Sequence, residues 1–590
     1  MKQCTVKQAR TVPSRLIGWN AVPVSAPSAR SFSNKSYYFE LNKQIGERDR
    51  DWKELLKFFE AEGGNFSGMN YATTVSKLGR FKGRDLSAMR KDKRYPNLIK
   101  SLEKVMTSSP LSEFGQGARH VANAVHGLAK MNQPNKAIMS KVNEEAEWMV
   151  TTGVPQAIAN TAWSFASMDV KAPELFEEIE KQAPRIVKEG APQAIANTAW
   201  AAATLGHWAP ALFKEIETRA SFLVKDGKPQ EIANTAWAAA TLGHSASALF
   251  EAIETRSSFL VKEGKPQEIA NTAWAAATLG HSAPALFREI EARSSFLAKE
   301  GTPQAIANTV WAYGKLQYDA PTLLAAVDSA SEVLIKSGTT QSFANVALAF
   351  AEIGHKPASF FNCLEMHSDE LVKSANEQQI TNVSWSLVTL GIASENEALL
   401  QALWKRAIET DASKFTSEAL NQLVQVDVHA RASGVELPPV SPSLKKRMSQ
   451  AAKADTNAGS RFEDKYSALL TEAGFKHDRE VQFLEGDYAG FLAIDFACKE
   501  RKIAVEFDGP SHYLTELKKG AKPNHGRENG RTTAKRRLME QMGWKVVNID
   551  YKDNIKLSTA PKEKVEKAGG MKEMKIKYLR NRLKLVGVIL

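Results

Sequence analysis

The chain has 590 residues, too many for one compact core, with 43% hydrophobic and 24% charged residues and a formal net charge of +12. The positive excess suits a polyanionic partner, without separating RNA from DNA or from an anionic membrane surface. Cys4, Cys363 and Cys498 are too scattered for a disulfide framework or a zinc site, and no apolar run approaches the ~18–20 residues of a membrane span.

Residues 1–39 hold no Asp or Glu, whereas Lys2, Lys7, Arg10, Arg15, Arg30 and Lys35 are basic and Ser, Thr and Pro are frequent. That composition fits an organellar transit peptide over residues 1–35, and a disordered basic arm would share it. Arg30-Ser31-Phe32-Ser33 is similar to a mitochondrial cleavage site, so the expected location is the mitochondrion, with the chloroplast as the alternative. Residues 36–109 read as a helical region with a worn opening repeat at Met69-Asn70-Tyr71-Ala72.

From residue 110 to 425 the chain repeats itself. Ala-Ile-Ala-Asn-Thr-Ala-Trp occurs around Asn160 and Asn197, and Glu-Ile-Ala-Asn-Thr-Ala-Trp around Asn234 and Asn271. Matching asparagines stand at Asn123, Asn308, Asn345 and Asn382, so eight units follow one another every 37 residues without insertion. A fixed period of this kind predicts a solenoid in which each unit buries its apolar face on the next. Pro155 opens one helix, Pro173 opens a second, and Gly190 ends it as a C-cap, which gives an αα-hairpin per unit. Asn421 marks a divergent closing unit.

At 100° per residue, Ile158, Ala162 and Phe165 form the core stripe of the first helix, with Gln156, Asn160 and Ser167 roughly opposite and Trp163 at the margin. The amide pair recurs as Gln193/Asn197, Gln230/Asn234, Gln267/Asn271 and Gln304/Asn308, and continues with Gln341 and Gln378. Two roles fit such a ladder: contact with RNA bases or phosphates, or satisfaction of backbone groups between units. Repeated identical amides encode no sequence, so a base code is expected beside them, at Ala157, Ala194, Glu231, Glu268, Ala305, Ser342 and Gln379. Trp163, Trp200, Trp237, Trp274, Trp311 and Trp385 are expected to pack between units. His207, His244, His281 and His355, one per unit after a glycine, are expected in loops or caps.

The 37-residue length, paired helices and motif resemble heptatricopeptide repeats, which are related to the octotricopeptide and pentatricopeptide families. The resemblance implies binding of organellar transcripts.

Residues 426–460 contain Leu437-Pro438-Pro439-Val440-Ser441-Pro442 and then a Lys/Ala/Ser-rich stretch, the composition of a linker. Beyond it, a helix from Arg461 is followed by strand-like runs at Phe491–Phe496, Lys502–Phe507 and Lys545–Asp550, with a helix over Thr533–Met542. Ile503-Ala504-Val505-Glu506-Phe507-Asp508-Gly509-Pro510-Ser511-His512-Tyr513, with Thr533, Lys535, Arg537, Leu538, Gly543-Trp544 and Tyr551 downstream, resembles the RAP domain, named for RNA-binding proteins abundant in apicomplexans. The family usually carries a Trp after the last strand, where this chain has Asp553-Asn554-Ile555. The resemblance implies a small α/β, restriction-endonuclease-like domain over residues 461–560, similar to very-short-patch-repair nucleases, ahead of a basic helical tail over 561–590. The expected fold is thus mainly α, a 37-residue αα-hairpin solenoid followed by that domain.

The nuclease likeness raises an enzymatic alternative. Asp495 and Glu506 would hold Mg²⁺, the only cofactor in view, with Asp508 beside them, His512 as base and Lys535 on a phosphate. The usual Glu-x-Lys is absent, since Glu506-Phe507-Asp508 stands there, so RNA binding without catalysis is the leading expectation. Lys535, Arg536 and Arg537, and the tail residues Lys572, Lys575, Lys577, Arg580, Arg582 and Lys584, are candidate phosphate contacts. The expected partner is single-stranded organellar RNA of roughly eight or nine nucleotides at one base per unit. The monomer would work alongside ribosomal or RNA-processing proteins. A protein-binding scaffold is a third possibility.

Overall fold

The computed structural model describes residues 33–588 except 116, 455–460, 485, 490, 519 and 521. The transit-peptide reading lies outside these residues but for its last positions, which begin the helix Ser33–Glu47.

From Trp52 to Ala432 the chain is a run of packed helices. One unit consists of Pro155–Ser167, Pro173–Lys181 and Ala183–Glu189, and the next repeats it with Pro192–Thr204, Pro210–Thr218 and Ala220–Asp226. The expected second helix is therefore two helices. The break falls at Gln182, Arg219, Arg256 and Arg293, where φ is near −100 to −120° and ψ is 10–20°. Where the break falls on arginine, that side chain joins two units. Arg219 donates to Lys188 O at 2.7 Å and Arg293 to Lys262 O at 2.8 Å, satisfying carbonyls at the end of the preceding unit's short helix. Their guanidinium groups lie 3.7 and 3.8 Å from the ring centres of Phe222 and Phe296.

A second device joins consecutive units. Glu217 accepts the backbone N–H groups of Ala248 and Leu249 at 2.9 and 3.2 Å, and Glu254 those of Ala285 and Leu286 at 2.9 Å each. Each second helix thus has its N-terminus capped by a carboxylate from the unit before it, which also meets the positive end of its dipole. Glu180 and Glu291 do the same one unit earlier and one later. Gly190 is not a left-handed cap: its φ is −72° where the chain turns into the next unit, and Ala375 takes the same conformation at the equivalent position.

Ile158, Ala162 and Phe165 are fully buried, as the helical wheel requires. The first helices are rich in alanine and pack on one another along their length, while the second helices meet less closely. The array therefore bends with its first helices on the inner side. Residues Pro442–Ala454, inside the stretch read as a linker, form a helix that packs on Ser417–Ala432.

The C-terminal domain is a four-stranded sheet in the order β1 (Asp478–Gln482), β2 (Ala493–Cys498), β3 (Ile503–Asp508), β4 (Lys545–Asp550). The pairs β1/β2 and β2/β3 are antiparallel and β3/β4 is parallel, with the helix Gly530–Gln541 in the crossover. Tyr466, Leu470, Ile576 and Leu579, from the helices Arg461–Glu472 and Met571–Leu585, join Phe496, Val505 and Val547 in the core on one face. On the other face Ala497, Ala504, Leu538 and Met539 belong to the same continuous core as the helical array. The sheet domain is built onto the solenoid, not tethered to it.

Candidate nucleic-acid interface

On the inner side of the array the first helices present one line of side chains per unit. Gln193 is exposed, Asn197 and Trp200 are half-buried, and Thr204 is exposed; Gln230, Asn234, Trp237 and Thr241 repeat this pattern, as do Gln267, Asn271, Trp274 and Thr278. Gln156, Asn160, Gln304 and Asn308 extend the strip on both sides. Within a unit the amides bond to each other: Gln156 donates to Asn160 at 2.9 Å and Gln267 to Asn271 at 2.8 Å. The ends differ. Asn70 is buried and donates to Tyr38 O and Asn42 Oδ1 at 2.9 Å, and Asn382 accepts from Gln378 and Gln422 at 2.9 and 3.0 Å. The ladder is thus buried and structural at its termini and exposed between them.

A lysine row that the sequence reading missed runs along the edge where the first helices begin. Lys188, Lys225, Lys262, Lys299, Lys336 and Lys373 are all exposed and recur every 37 residues; an exposed acid, Glu189, Asp226, Glu263 or Glu300, follows each of the first four, and Lys299 and Lys336 pair with Glu300 and Glu332. Each lysine stands just before the turn into a first helix, so the row follows the line of first-helix N-termini. Lys228 and Lys265, at N-cap positions, are exposed beside it. The shared interval was the available signal, hidden because lysine on a surface attracts no notice singly.

Several expectations require correction. The positions beside the glutamines do not display a code: Ala157, Ala194, Ala305 and Ser342 are 1–4% exposed, under the neighbouring unit. Glu231 and Glu268 turn back to accept the N–H of Lys228 and Lys265 at 2.9 and 3.0 Å, and Gln379 accepts that of Asn376 at 3.0 Å. They cap their own helices. The tryptophans are not wholly core. Trp385 is 2% exposed, but Trp163, Trp200, Trp237, Trp274 and Trp311 are half-buried with part of the ring on the strip. The histidines pack between units, His207 on Phe176, His244 on Phe213 and His281 on Phe250 in stacked geometry.

Three of the four basic residues of the crossover helix face inward. Lys535 pairs with Glu506 at 2.5 Å, Arg536 with Glu528 at 2.6 Å, and Arg537 donates to Val388 O and Thr389 O of the array at 2.7 and 2.8 Å. Their charges hold the domain together and hold it to the solenoid. In the tail, Lys575 is 7% exposed and donates to Asn554, Arg582 donates to Asn548 O, and Lys572 pairs with Glu472.

Asp495, Glu506, Asp508, His512 and Lys535 do converge. The Asp495 carboxylate accepts the Phe507 N–H at 2.7 Å, and Glu506 accepts the Asp495 N–H at 3.3 Å. Burial pushes the Glu506 carboxyl up to about 7, against the pull of Lys535. Burial alone would lower Lys535, but the Glu506 and Asp495 carboxylates outweigh it and hold the ammonium above its ordinary value. Asp508 is held low by hydrogen bonds from His512 and Asn548, which outweigh its burial. Asp495 and Glu506 lie side by side, with the Lys535 ammonium against Glu506 and the His512 ring against Asp508. Among the described residues no cluster of three or more His, Cys, Asp or Glu is placed to hold a metal.

Fold and surface together define a helical-repeat array that carries an α/β domain on its inner side. Residues 505–567 match the RAP domain family, so the C-terminal unit is a RAP domain. Residues 87–336, less than half of the chain, match the family described as RNA-editing substrate-binding complex 6 protein. Among the described residues no helix is long and apolar enough to cross a membrane.

Proposed function

We propose that the protein binds single-stranded RNA along the inner strip of the array and acts in RNA processing. The observation that carries this reading is the exposed line of amides and half-open indoles, flanked by a lysine row. Phosphates would follow that row while bases lie against the glutamines, asparagines and tryptophans. Both family matches support RNA as the ligand, one by its name and one by the complex named in its description. That second description also supports protein partners from an RNA-processing assembly. The acid-free N-terminal segment supports a mitochondrial location, to be checked by imaging a fluorescent fusion.

The test is affinity for a random-sequence single-stranded RNA after Gln193, Gln230, Gln267 and Gln304 are changed together to Ala. Alanine favours these helices, so the fold is expected to persist, checked by circular dichroism. Affinity should fall by at least about tenfold, equivalent to ~1.4 kcal/mol. Unchanged affinity in a folded variant would remove the strip as the binding surface.

A further inference from the structure

The inner strip does not run open from end to end. In the unit of Asn382 the corresponding side chains are covered: Asn382 is 7%, Trp385 2% and Thr389 3% exposed, whereas Thr204, Thr241 and Thr278 are exposed. Two elements cover them. The closing helix Ser417–Ala432 supplies Gln425, which accepts the Trp385 indole N–H at 2.7 Å, and Gln422. The RAP domain supplies Arg531, 5.3 Å from the Trp385 ring centre and paired with Glu352 at 2.5 Å.

Where the strip passes beneath this roof a cleft of about 580 Å³ remains, within the ~300–1,000 Å³ typical of small-ligand sites. Its walls include Trp311, Lys315, Glu352 and Gln378 from the array, Glu418 from the closing helix and Arg531 from the RAP domain. Trp311 is the last tryptophan of the strip with an open side, so a base stacked on it would be the last one in line. The lining carries two cations and two carboxylates, with Arg531 and Glu352 already paired, so it offers little to a terminal phosphate dianion. Glu418 is exposed and shares the cleft with Gln378, whose amide nitrogen donates to Asn382 and Gln422; the Glu418 carboxylate is the group suited to accept from the two hydroxyls of an unsubstituted ribose.

We propose that this cleft receives the 3′-terminal nucleoside of an RNA lying along the strip, so that the RAP domain acts as an end stop. The proposal rests on the RNA-binding reading above. It makes the RAP domain a reader of RNA termini through surfaces that exist only when it is docked on the array.

The experiment uses the full chain and one random-sequence RNA of about twenty nucleotides, longer than the strip, in three forms: linear with a 3′-hydroxyl, linear with a 3′-phosphate, and circular. The linear 3′-hydroxyl form should bind about tenfold more tightly than either other form. Glu418→Gln, an exposed and isosteric change, should narrow that preference to about twofold with affinity for the circle unchanged, and Trp311→Ala should narrow it likewise while weakening all three RNAs. Equal binding of linear and circular RNA by the unaltered protein would overturn the end stop, as would a preference that both variants retain. Saturable binding of free nucleosides together with equal binding of linear and circular RNA would make the cleft a free-nucleoside site and overturn it too. Loss of binding to all three RNAs would instead overturn the RNA-binding reading, and the end stop with it.

Discussion

Glu217 sits in the second helix of its own unit but does its structural work in the next one, taking the N–H groups of Ala248 and Leu249. Removing that carboxylate in Glu217→Ala uncaps a helix N-terminus and should cost about 1–2 kcal/mol, read as a lower urea midpoint. Glu263→Ala, at an exposed site without such a bond, should leave the midpoint unchanged. His429 makes a second residue-level prediction. Burial, and then the positive charge of Arg537, push its imidazole down to about 3, so the folded protein resists the proton that the unfolded chain accepts near 6.5. The folded pKa is depressed below the unfolded one. Stability from this group is therefore fully present above pH ~6.5 and lost as pH falls from there toward about 3. Replacement in His429→Leu should flatten the acid limb of a stability–pH profile between pH ~6.5 and ~4.5, by on the order of 1–2 kcal/mol. An unchanged slope would contradict the assignment. At this scale the sequence was partly legible. The wheel separated Ile158 and Phe165 from Gln156, but it could not show that Ala157 lies under the neighbouring unit, because a wheel describes one isolated helix.

Among the elements, the crossover helix Gly530–Gln541 decides how the two parts of the chain meet. It begins against the end of an array helix, so closely that a Cβ on Gly530 would stand 1.7 Å from Ala351 O. Alanine is the better helix former by about 1 kcal/mol, so Gly530→Ala should strengthen the isolated helix while prising the RAP domain from the array. Hydrogen exchange should then rise in Val388–Gly391 and Thr515, and an unchanged exchange pattern would count against the docking described. Most of the breaks in the second helices carry no local signal. Thr218-Arg219-Ala220 contains no glycine or proline, the arginine there reaches into the preceding unit, and the same break recurs at Ala330 without an arginine. The missing tryptophan after β4 has a comparable explanation. Asn554 accepts from Tyr466 and Lys575, and Asp553 accepts from Tyr578, so polar contacts close the edge there.

Over the whole molecule, the period of 37 made the array readable and an ordered motif made the RAP domain readable, but their union was not. Asp319 pairs with Arg527 at 3.0 Å across 208 residues, and Asp427 accepts from Tyr488 at 2.8 Å across 61. Neither pairing leaves a trace in local composition. The same blindness led to Lys535, Arg536 and Arg537 being read as phosphate contacts, whereas long-range ion pairs and carbonyl contacts hold all three. The charge available to RNA lies instead in the periodic lysine row. Four of these, Lys188, Lys225, Lys262 and Lys299, each meeting one phosphate, predict a slope of about −3 in a plot of log K against log salt. Changing Lys225 and Lys262 to Ala should reduce its magnitude by about 1.4, whereas Arg536→Ala should leave it unaltered. The most direct test of the central claim is ultraviolet crosslinking of the full chain to single-stranded RNA, with the attached peptides mapped by mass spectrometry. The inner-strip account predicts adducts on the first-helix peptides containing Trp200, Trp237 and Trp274. Adducts confined to the RAP domain and the basic tail, or to the second helices, would contradict it.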